Sequence, residues 1–215
     1  MVASRICAQC GAVFTPHREH ARFCAARCRV AWHRERTGDP VIGASALQWS
    51  VPAMSEMTRR LAASQRADRF AVFAAISDAV WTVTIVDAGL VRYHPNVYDQ
   101  MLAGEDATRR RLLEEGLAGL RFIRNQIPDE AAVAQFVEPK TSESAADGSA
   151  AEGWTWRSVT EAHASPRRPR GQVWEVARFR AYQASLAGRP VCEVFDRAEA
   201  FLNRAAARAA TVLIS

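Results

Sequence analysis

The sequence predicts a mainly α protein in which a helical bundle follows a small N-terminal module. The chain has 215 residues, 49% of them hydrophobic, which is enough for one well-buried domain and a small appendage. Its apolar residues recur at steps of three and four over long stretches, as in amphipathic helices. Four of its five cysteines stand in two closely spaced pairs near the start. We therefore expect a module at 1–38, a linker at 39–53 and a helical body at 54–215.

The cysteine pairs predict a metal site. Cys7 and Cys10 form a C-x2-C pair, and Cys24 and Cys28 form a C-x3-C pair after a spacer of thirteen residues. Such spacings favour metal ligands over disulfides in a reducing compartment, and four thiolates complete a tetrahedral zinc site. About 40 residues bury too little apolar surface to fold unaided. We therefore expect one structural Zn²⁺ ion, the alternative being four unligated thiols.

The elements of the module follow from the same stretch. Gly11 lets the backbone turn tightly after the first pair, and residues 12–23 suit a short hairpin. The second pair opens a helix that runs to about Arg36, before Gly38 and Pro40. Three histidines could replace a cysteine, but four thiolates already complete the ligand set. We therefore expect these histidines to be solvated or to lie next to the ligands: His17, His20 and His33.

The segment 7–29 resembles the FCS-type treble-clef zinc fingers. In that family C-x2-C-G-x-x-F precedes F-C-x3-C-R, and here the chain reads "CAQCGAVF" and "FCAARCR", with Ala25 where serine is usual. The resemblance implies a treble clef held by the four cysteines. It also implies an appendage that binds either protein or nucleic acid.

Charge is concentrated in this module. Residues 1–40 contain seven arginines against three acids, a net charge of +4 out of +5 for the whole chain. A basic helix could lie against phosphates through Arg27, Arg29 and Arg34, or the same arginines could solvate an appendage. Both alternatives stay open at this stage.

The next segments predict a linker and then helices. Residues 39–53 mix Gly, Pro and Ser with apolar residues and lack a clear period, so we expect a linker that docks through Leu47 and Trp49. Helices are expected at Met54–Gln65 and at about Asp68–Tyr93. The second of these is apolar over much of its circumference, which places it in the middle of the bundle.

Two further helices are expected before Pro128, at about Asn96–Ala103 and from the N-cap Asp106 to about Gln126. Arg124 falls within the apolar stripe of the later helix. An arginine there would lose hydration without a partner, so it either pairs with a carboxylate or borders a cleft or interface.

The pair Arg124-Asn125 resembles the first half of the R-N-x(3–5)-H signature of HEPN domains, all-helical modules many of which are metal-independent ribonucleases. The resemblance implies a cleft shared by two protomers, in which arginine and histidine act on a phosphate and the ribose hydroxyl. The positions for the histidine read Asp129, Glu130 and Ala131. A HEPN-like body would therefore be a degenerate, non-catalytic member.

The last third predicts a flexible excursion at about 138–153, an extended segment from Trp154 to Val159, and helices at Gln172–Ala187 and Pro190 to about Leu213. The two tryptophans of the extended segment either cover core or stack on bases, and core is favoured. Cys192 stands alone among apolar neighbours and is expected to be a core residue rather than a nucleophile.

Motifs favour a binding protein over an enzyme, because no glycine-rich phosphate loop or nucleophile elbow is present. No apolar run approaches the roughly 20 residues that span a membrane, and we expect a cytoplasmic protein. The predicted function is a zinc-binding accessory or regulatory protein that engages nucleic acid or a protein partner. The alternative is a HEPN-like ribonuclease or toxin-type RNA-binding protein with Arg124 and Asn125 in a degenerate site. The helical body could form a homodimer.

Overall fold

The computed structural model describes residues 4–16, 18, 20–36, 39–127, 130–140, 153–160 and 172–212, and residues 34–36, 40–41, 130–131 and 172–175 by their backbone alone. The elements in chain order are β1 (Arg5–Ile6), β2 (Val13–Phe14), α1 (Ala26–Arg36), α2 (Pro40–Ser64), α3 (Arg69–Tyr93), α4 (Pro95–Gly104), α5 (Ala107–Gln126), α6 (Glu130–Val133), β3 (Val137–Pro139), β4 (Trp154–Trp156), α7 (Gln172–Ser185) and α8 (Val191–Val212). The prediction of a mainly α protein is confirmed.

The N-terminal module combines a short hairpin with α1. Strand β1 pairs antiparallel with β2, so that Arg5 lies opposite Phe14 and Ile6 opposite Val13. The predicted hairpin at 12–23 is wrong in position: the strands enclose the first cysteine pair instead of lying between the two pairs. The reason is that the tight turn at Gly11, with φ of 69°, reverses the chain directly after Cys10.

Helix α2 corrects the prediction for residues 39–53. Instead of an irregular linker, these residues form the first half of a 25-residue helix that begins at Pro40. Proline suits the first turn of a helix, because its missing N–H would have no partner there. Leu47 is buried as expected, but Trp49 is 80% exposed. Residues two positions apart point in directions that differ by about 200° around a helix, so Leu47 and Trp49 cannot both face the core.

Helix α3 is the central element of the body. It contacts α2, α4, α5, α6 and α8, and Asp68 caps its start by accepting hydrogen bonds from the backbone N–H groups of Phe70 and Ala71 at 3.0 and 3.1 Å. By length and composition α3 could cross a membrane, contrary to the expectation that no segment comes close to this. Half of its most apolar window is buried inside the protein, as in the core helix of a soluble domain.

Two glycines allow close packing around α5. A Cβ atom at Gly119 would lie 3.1 Å from Cα of Tyr182 in α7, and one at Gly116 would lie 3.1 Å from a methyl group of Val194 in α8. Because these two glycines have no side chain, α7 and α8 can pack closely against α5. Asp106 caps the start of α5 as predicted.

Strands β3 and β4 form a second antiparallel pair, in which Val137 lies opposite Trp156. Trp154 and Trp156 are buried, and the Trp156 ring contacts Tyr182 and Phe195, so these tryptophans cover core. The predicted excursion at 138–153 begins inside β3, while residues 141–152 lie outside the described part of the chain.

Candidate metal centre

The four predicted ligand cysteines come together in one cluster. The Sγ atoms of Cys7, Cys10, Cys24 and Cys28 all lie within 4.8 Å of one another. The Sγ of Cys24 lies 3.6 Å from that of Cys10 and 3.5 Å from that of Cys28. Four sulfurs at a Zn–S distance of about 2.3 Å would be separated by about 3.8 Å along each edge of the tetrahedron. Disulfide sulfurs, by contrast, lie about 2.05 Å apart. The cluster can therefore hold a metal ion.

Backbone hydrogen bonds build the first half of the cluster. The N–H of Cys7 donates to the carbonyl of Ala12 at 2.9 Å, and the N–H of Gly11 donates back to the carbonyl of Cys7 at 2.9 Å. The positive φ of Gly11 makes this loop possible. The sequence "CAQCG" thus folds into a tight loop that directs both of its thiols to the same side.

Two further hydrogen bonds join the halves of the cluster. The N–H of Ala8 donates to the carbonyl of Arg22 at 2.9 Å, and the N–H of Cys24 donates to Sγ of Cys7 at 3.4 Å. The second pair lies at the start of α1, with Cys24 just before the helix and Cys28 in its first turn. One of these bonds joins backbone groups and the other uses a ligand thiol, and together they hold the two pairs in register.

The electrostatics of the cluster suit a cation. Burial raises the pKa of Cys7, but backbone N–H groups of Cys24, Cys10 and Gln9 lower it more in sum, and the pKa falls to about 6. Burial and the thiols of Cys24 and Cys10 raise the pKa of Cys28. The surroundings therefore favour some negative charge, but four thiolates this close repel one another unless a cation binds among them.

Three of the four thiols are buried, and the fourth, Cys24, is half-buried. Cys7, Cys10 and Cys28 are nearly inaccessible, and Ala12, Phe14 and Phe23 pack against them. Catalytic metal sites keep one position open for water or substrate, whereas structural sites fill all four positions with protein ligands. The donor set and its burial fit a structural ion. His20 and His33 are exposed, and His17 lies outside the described residues.

The predicted nucleic-acid-binding arginines have different positions. Arg27 and Arg29 are exposed on α1, and the Arg34 side chain lies outside the described part. Arg29 borders a cavity of about 640 Å³ together with Arg18 and Arg22, which the sequence analysis did not single out. The remaining lining residues, among those described, include no carboxylate: Phe14, Thr15, His20, Ala21, Phe23, Cys24, Ala25 and Ala26.

We call this space the cationic cavity. An aromatic pair lies beside it. The rings of Phe23 and Trp32 lie 5.7 Å apart, and the guanidinium carbon of Arg22 lies 5.2 Å from the Trp32 ring centroid. Cation–π contact of this kind orients an arginine while leaving its N–H groups available to a second partner. The cavity therefore places oriented positive charge beside the metal cluster.

Arg124, the candidate from the HEPN-like motif, lies at the last turn of α5. Its guanidinium carbon lies 4.3 Å from the centroid of the Trp81 ring, and burial followed by repulsion from Arg121 lowers its pKa. Asn125 is exposed. Asp129 and the side chains of Glu130 and Ala131 lie outside the described part, so a pairing of Arg124 with a carboxylate at these positions stays a prediction.

The buried arginine–carboxylate pair of the body involves a different arginine, which sequence analysis missed. Asp87 of α3 is wholly inaccessible and pairs with Arg121, and the Tyr98 hydroxyl donates to its Oδ1 at 2.7 Å. The sequence signal was an aspartate on the most apolar helix, since such a carboxylate requires a cation or hydrogen-bond donors.

The metal cluster adjoins this buried group. A cavity of about 470 Å³ separates the loop Cys7–Gly11 and Trp32 from residues of the body that include Tyr98, Glu114 and Arg121. Helix α1 also contacts α3. The module therefore lies against the body with a polar space between them.

Comparison with protein-family models, curated proteins and solved structures gives no match for the chain. The treble-clef and HEPN-like assignments thus rest on the residues quoted for them and stay predictions.

Proposed function

We propose that the four cysteines hold one structural Zn²⁺ ion and that the protein is a mainly helical accessory or regulatory protein, whose metal-bound module engages nucleic acid. The observation that supports this proposal best is the convergence of the four Sγ atoms within 4.8 Å. The cationic cavity beside them supports the choice of partner.

Zinc is the proposed ion because of the donor set. Four sulfurs in tetrahedral arrangement suit zinc or iron, and a set of four cysteines that fills every position is typical of structural zinc. A structural zinc ion contributes about 10–16 kcal/mol to the folding of small modules at neutral pH. That contribution explains how a module with two-residue strands and one 11-residue helix can keep a defined shape.

Nucleic acid is the proposed partner because of the charge and composition of the cavity. Three arginines attract phosphates in a lining whose described residues include no carboxylate, and arginine binds phosphate oxygens through paired N–H groups. Phe14 and Phe23 lie in the same lining and add aromatic surface beside the charge. A single-stranded chain, which exposes its bases next to its phosphates, uses both features.

Elemental analysis of purified protein tests the metal. One zinc per chain, without iron, is the expected result. Removal by a strong chelator should release one equivalent of zinc. Stoichiometric iron would contradict the choice of ion, and protein without any metal would contradict the proposal as a whole.

Fluorescence anisotropy with labelled single-stranded 20-mers of DNA and RNA tests the partner. We expect affinity to fall steeply between 50 and 200 mM salt, by about tenfold or more. Changing Arg18, Arg22 and Arg29 to Gln should abolish most of the binding. The matched control changes Arg66, Arg111 and Arg208, which are exposed on the helical body or its turns, and alters the net charge equally. Equal loss in both triple variants would indicate nonspecific attraction, and no binding at low salt would leave a protein partner.

A further inference from the structure

A third cavity, which none of the four clustered cysteines lines, lies between the N-terminal half of α2 and the C-terminal half of α8. Its volume is about 710 Å³, within the range of small-molecule sites. Most of its lining is aliphatic, and four alanines of α8 form one wall. The lining residues are Ala44, Ser45, Leu47, Gln48, Val51, Pro52, His94, Asn203, Ala206, Ala207, Ala209 and Ala210.

Two polar side chains in this lining have buried atoms without partners. His94 is only 7% exposed, and its Nε2 has no hydrogen bond to any described residue. The same holds for Oδ1 of Asn203. Buried polar atoms are nearly always paired in folded proteins, so such a pair of unsatisfied atoms indicates a missing water or ligand.

The hydrogen bonds of Asn203 define what the missing group must offer. Its Nδ2 donates to Oγ of Ser55 at 3.3 Å and to Oε1 of Glu199 at 3.5 Å. These contacts orient the amide, so the atom left unpaired is an acceptor. The missing group must therefore donate a hydrogen bond.

The cavity is also electrically neutral. The described residues that line it include no acid, lysine or arginine. Burial lowers the pKa of His94, which keeps its ring uncharged at neutral pH. An ionised head group would lose its hydration here without gaining a counter-charge.

From this geometry we propose that the cavity between α2 and α8 binds an uncharged amphiphile, an aliphatic chain that ends in a hydroxyl group. The chain lies along the alanine wall of α8. The hydroxyl group lies beside Asn203, near Ser55 of α2, and supplies the donor that the amide lacks. His94 lies beside Gly43, about three turns away along α2, so it contacts the other end of the ligand rather than the hydroxyl group. This site is independent of the metal centre and of any nucleic-acid partner.

Isothermal titration with 1-octanol and with octanoate, at pH 7.5 on the full chain, tests the proposal. The two probes have equal chain length and differ in the charge of the head group. We expect saturable one-to-one binding of octanol and at least about tenfold weaker binding of octanoate, because of the cost of burying the carboxylate. Equal affinities for the two probes, or no saturable octanol binding, would overturn the proposal and leave water as the occupant.

Two phenylalanine variants locate the binding. Ala207 and Ala200 are both exposed on α8, but only Ala207 lines the cavity. Ala207→Phe should fill the cavity and weaken octanol binding by at least about tenfold, while Ala200→Phe should bind as the unaltered protein does. Ala210→Phe fills the same cavity and replaces Ala207→Phe if circular dichroism shows that variant to be unfolded. Unchanged octanol affinity in a folded cavity-filling variant would place the ligand elsewhere and refute the site.

Discussion

At the scale of single residues, the five cysteines have two different chemistries. Four thiols lie together and repel one another when ionised, which a cation relieves. Cys192 lies apart in α8, where burial and the nearby Asp196 raise its pKa to about 11. Its thiol is therefore protonated and unreactive at neutral pH, as expected of an interior residue.

This difference leads to a paired prediction. Cys10→Ser should reduce zinc affinity by more than the about 10- to 100-fold that accompanies loss of an outer-shell partner, since it removes a ligand itself. Cys192→Ser should keep full zinc stoichiometry. Competition with a chromophoric chelator measures both affinities. Equal zinc loss in the two variants would mean that the cluster is not the binding site.

His94 leads to a prediction about pH. Burial lowers its pKa in the folded protein below the ordinary value of 6.5, so the unfolded chain binds the proton more readily. The contribution of His94 to the free energy of unfolding should be complete above pH 6.5. It should decrease as the pH drops from there toward the lowered pKa. Urea denaturation at pH 7.5 and 5.5 measures the fall.

The His94→Gln variant is the control for that experiment, because it keeps polar atoms but cannot titrate. Its stability should change less between the two pH values than that of the unaltered protein. Loss of zinc at low pH affects both proteins alike, so it cancels in the comparison. Parallel curves for the two proteins would show that His94 does not contribute.

At the scale of elements, the approach of α2 to α3 depends on one glycine. A Cβ atom at Gly43 would lie 2.2 Å from Cβ of Tyr93 and 2.5 Å from its Cγ. Neither atom can move without shifting the end of α3. The α2–α3 interface thus requires the smallest residue at this turn of α2.

We expect Gly43→Ala to destabilise the protein by about 1–3 kcal/mol through this overlap, although alanine is the better helix former. Gly104→Ala is the matched control: a Cβ there would meet nothing within 4 Å. It should change the free energy of unfolding by less than about 1 kcal/mol. The urea midpoints of both variants measure these changes in stability. A Gly43→Ala variant with unchanged stability would show that α2 and α3 can move apart without cost.

The elements also show which features were predictable from sequence. Asp68 and Asp106 were recognisable as helix starts because capping is a local interaction. The start of α2 was missed because its glycine, serine and prolines are weak helix formers, and tertiary packing of residues such as Leu47 outweighs that preference. The isolated turn of α6 and the strand β3 depend on contacts with distant parts of the body.

The candidate site was likewise predictable from sequence only in part. Spacing alone predicted that the four cysteines lie together, because closely spaced cysteine pairs are typical of a shared metal ion. The cationic cavity was only partly predicted: Arg29 lies on the helix, but Arg18 and Arg22 join it through the fold of the preceding loop. The partner of Asp87 could not be assigned, since Arg121 and Arg124 lie on the same helix and only the packing of α3 against α5 selects between them.

At the scale of the whole molecule, the described residues form two separate apolar cores. One surrounds the thiols, and the other extends through the helical body. The two meet across the polar cavity between the Cys7–Gly11 loop and the body. Because the described residues of the larger core include none of the four clustered cysteines, we expect its stability not to depend on the proposed ion.

Metal removal should therefore unfold the module and leave the body folded. Hydrogen exchange measured by mass spectrometry after chelation should show loss of protection over residues 4–33, with protection retained in α3 and α5. Adding back zinc should restore the original pattern. Global loss of protection would show that the two cores fold as one unit, and unchanged protection in the module would show that it needs no ion.

The position of α8 has a consequence for biosynthesis. This helix contacts α2, α3, α4 and α5, all of which leave the ribosome before it. The apolar surfaces that α8 covers on those four helices stay uncovered until translation has passed Val212. During that interval the growing polypeptide is most exposed to aggregation and to proteases, and most dependent on chaperones.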